Sequence, residues 1–238
     1  MIKSLLLGLG LLAALAAQAQ SIVNYRGALR NIMHQGDLSE KVRLDSLTNK
    51  FIYGLGAATD LRGEWVIWDG KAWRSRVEAG KLVTEQVDTG SAALLVWSRI
   101  DSYKISDTII SFKNENQLQL ALTALAEKTG IDIKEPFPFW LEGEAVVNWH
   151  VIDWPAGDSV HTHEKHKKAG LHGRRKVKNA QIIGFYSPKH AGIYTHHSTR
   201  LHMHLLDTDQ PLAAHIDALQ GKKIILRIGH NYGIRSHR

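Results

Sequence analysis

No cysteine occurs among the 238 residues. This excludes a disulfide framework, thiolate zinc fingers, iron–sulfur ligation and a cysteine nucleophile together. Any metal must then be held by imidazole and carboxylate. Long apolar runs are almost as scarce: Leu5 to Ala17 is one, and no second run of membrane-spanning length follows. The remainder is of ordinary globular composition, 44% hydrophobic and 22% charged, which rules out wholesale disorder and fibrous repeats. The length suffices for one large domain or two small ones around a sizeable core.

The apolar run belongs to a targeting segment. Lys3 is its lone charge, and Ala17-Gln18-Ala19 closes it with a small-x-small cleavage pattern. Such a run is too short to cross a bilayer as a permanent anchor. The pattern predicts a signal peptide over residues 1–19 and an exported protein, periplasmic or secreted, without a stable membrane anchor.

Two features are in excess. There are 14 histidines, 13 of them from His150 to His237. The net charge is +7, and loss of Lys3 with the leader leaves +6. From His161 to Lys178 seven Lys or Arg face the single Glu164, so this segment alone carries the charge of the mature chain. It reads as a solvated surface loop, with a docking surface for an anionic partner as the alternative. Lacking interleaved aromatics, it does not suit a single-strand nucleic-acid platform. The spacing of His161, His163, His166 and His172 fits no common metal motif.

Hydrophobic periodicity supplies the elements. Ala28, Leu29, Ile32 and Met33 predict a helix within Tyr25–Gln35, and Asp45-Ser46-Leu47 opens a short one. Phe51–Val87 reads as strands, with Asp69-Gly70 as a type I′ hairpin turn between Trp-rich arms. Ala92–Ile100 is a further strand. Glu115–Lys128 places Leu118, Leu122 and Leu125 on one side and stops before Gly130, a helix with an end signal. Past Pro136 and Pro138 come short strands over Phe139–Ile152, Ala180–Tyr186, Leu201–Leu206 and Lys223–Ile228. The expectation is a two-domain α+β protein. Residues 20–138 would form an N-terminal α/β domain with a mixed sheet, and residues 139–238 a mainly antiparallel, barrel-like β domain carrying a metal site.

The chemistry-bearing signal is Leu201-His202-Met203-His204-Leu205. Alternation in a strand puts the three apolar residues on one face and both imidazoles on the other. His215 follows after Asp207-Thr208-Asp209-Gln210-Pro211, a turn-forming run that can return it beside the pair. Three neutral imidazoles with an open fourth position make a catalytic zinc environment. The same spacing allows a cupin-like iron site, although Asp207 and Asp209 stand where a Glu would be wanted, or simply surface histidines on an edge strand. Glu64, at the root of the Trp-rich hairpin after Gly54, Gly56 and Gly63, is placed to act as acid, base or ligand; the plainer reading is a solvent-facing strand Glu. Trp65, Trp68 and Trp73 suit a core better than a substrate stack.

Two blocks together resemble the bacterial alpha-acetolactate decarboxylase family. One is Tyr53-Gly54-Leu55-Gly56 through Leu61-Arg62-Gly63-Glu64 to Trp68-Asp69-Gly70-Lys71, similar to the family's GLG…DGE…DGK run. The other is Gly184-Phe185-Tyr186-Ser187-Pro188 through His202-Met203-His204-Leu205 to His215, similar to its GFYTP…HLHF…H run. Their order and separation agree, so the resemblance spans most of the mature chain. It implies a two-domain enzyme, usually a homodimer, with one Zn2+ on His202, His204 and His215 and Glu64 as the active-site carboxylate. The implied reaction removes CO2 from 2-acetolactate, a 2-hydroxy-3-keto acid, to give acetoin, the metal stabilising an enediolate.

The chain departs from the family pattern at three places. Ala57 follows GLG where the family has Thr. Asn148–Pro155 lacks the family's Arg before Val-Pro. The end, His230–Arg238, lacks its Glu. A substrate carboxylate still requires positive charge or strong donors; His150, Arg200 or the basic segment are the candidates, and His150 and Arg200 join Glu64 as the predicted catalytic set. Two further readings accompany the decarboxylase: a related metalloenzyme for another hydroxy-keto acid, and a non-catalytic exported protein that binds metal or anions.

Overall fold

The computed structural model describes residues 22–100, 108–195 and 199–229, without the side chains of His163 and Lys167. The predicted leader and the stretch from His230 to Arg238 lie outside the described residues. The fold is two-domain α+β, built on two sheets with few helices.

The first sheet comprises β1 (Val23–Arg26), β2 (Val42–Arg43), β3 (Ile52–Ala58), β4 (Glu64–Trp68), β5 (Lys71–Glu78), β6 (Lys81–Gln86) and β7 (Ser91–Arg99). Its order is β1-β7-β3-β4-β5-β6, with β2 also on β7. Asp69 and Gly70 both take positive φ, 50° and 77°, as a type I′ turn requires. Tight turns return β5 beside β4 and β6 beside β5, β7 crosses back to lie between β1 and β3, and among the described residues every ladder of this sheet is antiparallel rather than mixed. The first helix, α1 (Leu29–Gln35), is shorter than its apolar spacing suggests because the ladder to β7 takes Tyr25 and Arg26. The second predicted turn of helix is a 3-10 segment, Leu44–Leu47.

The second sheet holds β8 (Thr108–Phe112), β9 (Phe137–Val151), β10 (Leu171–Tyr186), β11 (Leu201–Asp207) and β12 (Leu212–Ile228). Its order is β11-β10-β9-β12-β8, and β11 also pairs with β12. Strands β9 to β12 therefore close a circuit, the geometry that removes open edges. The chain enters this sheet at β8, ahead of the change in composition at Pro136. Helix α2 (Glu115–Lys128) covers one face with Leu118, Leu122, Leu125 and Ala126. Asn114 caps it by accepting from the Gln117 N–H at 3.0 Å, while the Gln117 side chain accepts from the Lys113 N–H at 2.9 Å.

The basic segment is not the loop its charge suggested. It forms α3 (His163–Lys168) and the first half of β10, paired to β9 from Val151 to Ala145. Its charges partly serve the fold: Arg175 Nη1 reaches buried Asp207 at 3.1 Å and the Gln210 carbonyl at 2.8 Å, holding the β11–β12 turn.

Period-two alternation decides which residues face which layer. On β4, Trp65 and Ile67 point to a cluster with Leu44, Leu47 and Leu95, whereas Val66 points to the interface between the sheets. There Tyr53, Leu55, Val66 and Val96 of the first sheet meet Ile183, Phe185, Leu206 and Ala213 of the second. Fully buried side chains of this size each stabilise by about 1.5–3 kcal/mol, so the sheets dock firmly. Among the described residues no helix is long and apolar enough to cross a membrane.

Candidate metal centre

Register brings the histidines together. On β11, Leu201, Met203 and Leu205 enter the core under α2, so His202 and His204 project from the reverse face, as the alternation requires. That face meets the first sheet rather than solvent, and both imidazoles are buried. Asp207 accepts from the N–H groups of Asp209 and Gln210, making the turn that sets Asp207 opposite Leu212 and His204 opposite His215. His215 is in turn paired with His150 on β9. Three strands thus place His204, His215 and His150 side by side.

The rings of His202, His204 and His215 stand 5.1–5.2 Å apart, centroid to centroid. One ligand nitrogen from each lies within 4.8 Å of the other two. His204 Nδ1–H donates to the Trp65 carbonyl at 3.0 Å, which fixes the tautomer and turns the Nε2 lone pair inward. That Nε2 is 3.3 Å from His215 Nδ1. Two ligands on a tetrahedral zinc, with bonds of about 2.0–2.1 Å, are ~3.4 Å apart, so the pair stands at nearly the right separation. Burial, helped by the nearby His150 charge and opposed by the Trp65 carbonyl, pushes the His204 imidazole down to about 3. It is neutral at working pH, as a metal ligand must be. The donor set therefore fits a divalent ion of zinc's preference.

Glu64 arrives from the first sheet. The corner before β4 is strained, with φ of 59° at Asp60, 50° at Leu61 and 120° at Gly63. A Cβ at Gly63 would lie 2.1 Å from the Ser75 carbonyl oxygen, so only glycine fits. The corner is tied to the chain leaving β9: the Trp154 N–H donates to the Leu61 carbonyl at 3.1 Å, Arg62 pairs with Asp153 at 3.1 Å, and the Ile152 N–H donates to the Glu64 carboxylate. Glu64 is 4% exposed, not the solvent-facing residue its position on a hairpin could have made it. Its Oε2 is 3.8 Å from His204 Nε2 and its Oε1 3.9 Å from His150 Nε2. Burial, with Asp217 adding to it, outweighs the His150 charge and the Ile152 N–H, and the carboxyl is pushed up to about 8. Glu64 carries a proton at neutral pH.

His150 is close to this cluster, with its ring 4.6 Å from that of His215. Its Nδ1 meets both carboxylate oxygens of Asp217, at 2.9 and 3.0 Å. Burial lowers the His150 pKa, but the Asp217 hydrogen bond and the Glu64 charge outweigh it and the net shift is upward. Asp217 was not foreseen from sequence. It is the extra residue of a β-bulge, between Ile216 opposite Trp149 and Ala218 opposite Asn148, and bulges re-aim side chains in ways a local pattern does not reveal. The His-x-Asp spacing from His215 was the one available signal. Beside Asp217 opens a cavity of about 500 Å3, lined also by Asn114, Glu115, Asn148 and Arg174. Arg200 stands exposed ahead of β11, its Nη1 3.4 Å from the Tyr186 hydroxyl; among the described residues it makes no hydrogen bond or ion pair to the cluster. In the basic segment, His161 and His166 approach to 2.9 Å and both lie against the Trp154 ring.

No protein-family model matches the chain, and no curated protein matches it. Solved structures do. A protein of unknown function from Staphylococcus aureus, described as similar to alpha-acetolactate decarboxylase, is 17% identical with a TM-score of 0.66, over 88% of this chain and 85% of its own. Alpha-acetolactate decarboxylase from Bacillus subtilis strain 168 is 14% identical with a TM-score of 0.69, over 88% and 85%. Acetolactate decarboxylase from Bacillus subtilis subspecies spizizenii is 15% identical with a TM-score of 0.71, over 88% and 86%. At such identities the likeness is one of fold.

Proposed function

We propose that this chain is a zinc-dependent decarboxylase that converts 2-acetolactate to acetoin and CO2. The observation that carries the reading is the convergence of His202, His204 and His215 beside a buried, proton-bearing Glu64. That it occurs in the fold of acetolactate decarboxylases supports the reaction class. A divalent ion on the three imidazoles would act as a Lewis acid toward the negative charge that loss of CO2 delivers to the neighbouring ketone oxygen.

The remaining roles fall to side chains. When the carbon–carboxylate bond breaks, its electron pair stays on the substrate carbon, which must then take a proton. In the metal-free chain Glu64 holds a proton on its carboxyl oxygen at neutral pH, and it lies within 4 Å of two of the imidazoles, which places it to serve as the general acid. Burial of Glu64 and His204 keeps bulk water from protonating the carbon indiscriminately. His150, whose hydrogen bond to Asp217 favours the protonated imidazole, is the residue assigned to the substrate carboxylate. Arg200, directed to Tyr186, is not assigned that task. Arg174, on the cavity beside Asp217, attracts the anion as it approaches. The leader argues for an exported enzyme, and the resemblance for a homodimer.

The test is acetoin formation from 2-acetolactate by the zinc-loaded protein, its chelated form and His204→Ala. Turnover should require zinc and vanish in the variant. Stoichiometric zinc without acetoin would refute the decarboxylase and favour another hydroxy-keto acid, a reading that His150 in place of an Arg supports. Loosely held ions without effect on folding would point to the non-catalytic binder.

A further inference from the structure

A second group of ligands adjoins the first. One donor atom from each of His150, His215 and Asp217 lies within 4.8 Å of the others, so His215 belongs to both sets. A neutral imidazole has a single ring lone pair to give. The two sets are therefore alternative positions for one ion rather than a two-ion centre.

They differ in depth. The His204 and His202 side chains are buried, whereas the side chain of Asp217 is 41% exposed and that of His150 18%. Of the residues in the two sets, Asp217 alone lines the cavity of about 500 Å3 that leads to solvent. A hydrated divalent ion cannot shed its water in one step without a large desolvation penalty. A site whose carboxylate reaches solvent offsets that penalty while water is still present. The two side chains already adjoin, His150 Nδ1 hydrogen-bonded to Asp217 at 2.9 Å, and an arriving ion takes the place of the proton between them. Opening to the ~3.4 Å of ligands on a tetrahedral ion takes about half an ångström. Exchange of His150 and Asp217 for His202 and His204, with His215 retained, completes the transfer.

We propose that His150, Asp217 and His215 form an outer station through which a divalent ion enters and leaves the buried seat on His202, His204 and His215. The inference rests on that seat holding an ion and not on the reaction performed there.

Cobalt(II) is the probe, its visible absorption reporting arrival in the seat of the metal-free full-length protein. Uptake is followed by stopped flow, release by mixing the loaded protein with excess chelator, and Kd by titration. Asp217→Asn and His150→Gln should each slow uptake and release by about tenfold, the effect of losing one charge-assisted contact on the path. Both rates should fall by the same factor, leaving Kd unchanged, because a station on the route alters the barrier and not its two ends. Unchanged rates would overturn the proposal. So would a changed Kd with unequal rate effects, which would make Asp217 part of the seat or a mere source of attraction. Acetoin assays on the zinc-loaded wild type judge the decarboxylase separately: equal slowing in the variants with no acetoin from the wild type sinks only that reading, and acetoin from the wild type with unaltered metal kinetics in the variants sinks only the station.

Discussion

Glu64→Gln removes the one proton that the buried centre holds against its ordinary chemistry. In the folded, metal-free chain the Glu64 carboxyl is pushed from 4.5 up to about 8, chiefly by burial. Between those values the folded state keeps a proton that the unfolded state has released, so stability falls as pH rises. The slope is ~1.4 kcal/mol per pH unit for one proton, hence about 2 kcal/mol between pH 6.5 and 8. His204 acts in the opposite direction and in another range. Pushed from 6.5 down to about 3, its stability contribution grows with pH only up to 6.5 and is constant above. Gln, neutral at every pH, has no titration to contribute. Urea unfolding of metal-free wild type and Glu64→Gln, followed by circular dichroism from pH 6.5 to 8, therefore reads the carboxyl, with its effect on neighbouring His150, in the difference between the two. The variant should gain on the wild type by about 2 kcal/mol across that range. A difference that stays flat, or moves the other way, would show that Glu64 is ionised in the folded chain and would remove the general acid.

Gly63→Ala should destabilise the chain by about 2 kcal/mol or more, because the added methyl would meet the Ser75 carbonyl at 2.1 Å. Melting curves check this, and acetoin formation should fall at unchanged zinc content as Glu64 is displaced. Asn114→Ala should cost about 1 kcal/mol by uncapping α2 without altering zinc binding; denaturant titration beside metal analysis decides it.

Much of the site could be read from local pattern because its local determinants are short. Alternation over Leu201–Leu205 is enough to set His202 and His204 on one face, and a turn-forming run is enough to bring His215 back to them. Asp69-Gly70 and the spaced leucines of α2 work in the same way. Other features depended on partners far along the chain. Leu171–Lys178 carries too much charge to look like a strand, yet β9 supplies its ladder and Asp207 accepts its Arg175. Asp217 reaches His150 only through a bulge. Whether Glu64 faces solvent or core depended on the docking of two sheets, which no window around residue 64 contains.

The carbonyl that orients His204 belongs to Trp65 on the first sheet, and Glu64 beside it comes from that same strand, while every imidazole of the cluster belongs to the second. A bound ion would therefore be gripped by one layer and aimed by the other. Parting the layers would leave His204 unoriented and remove Glu64 from its side, so a loosened seam would cost the ion its alignment and the acid its place together.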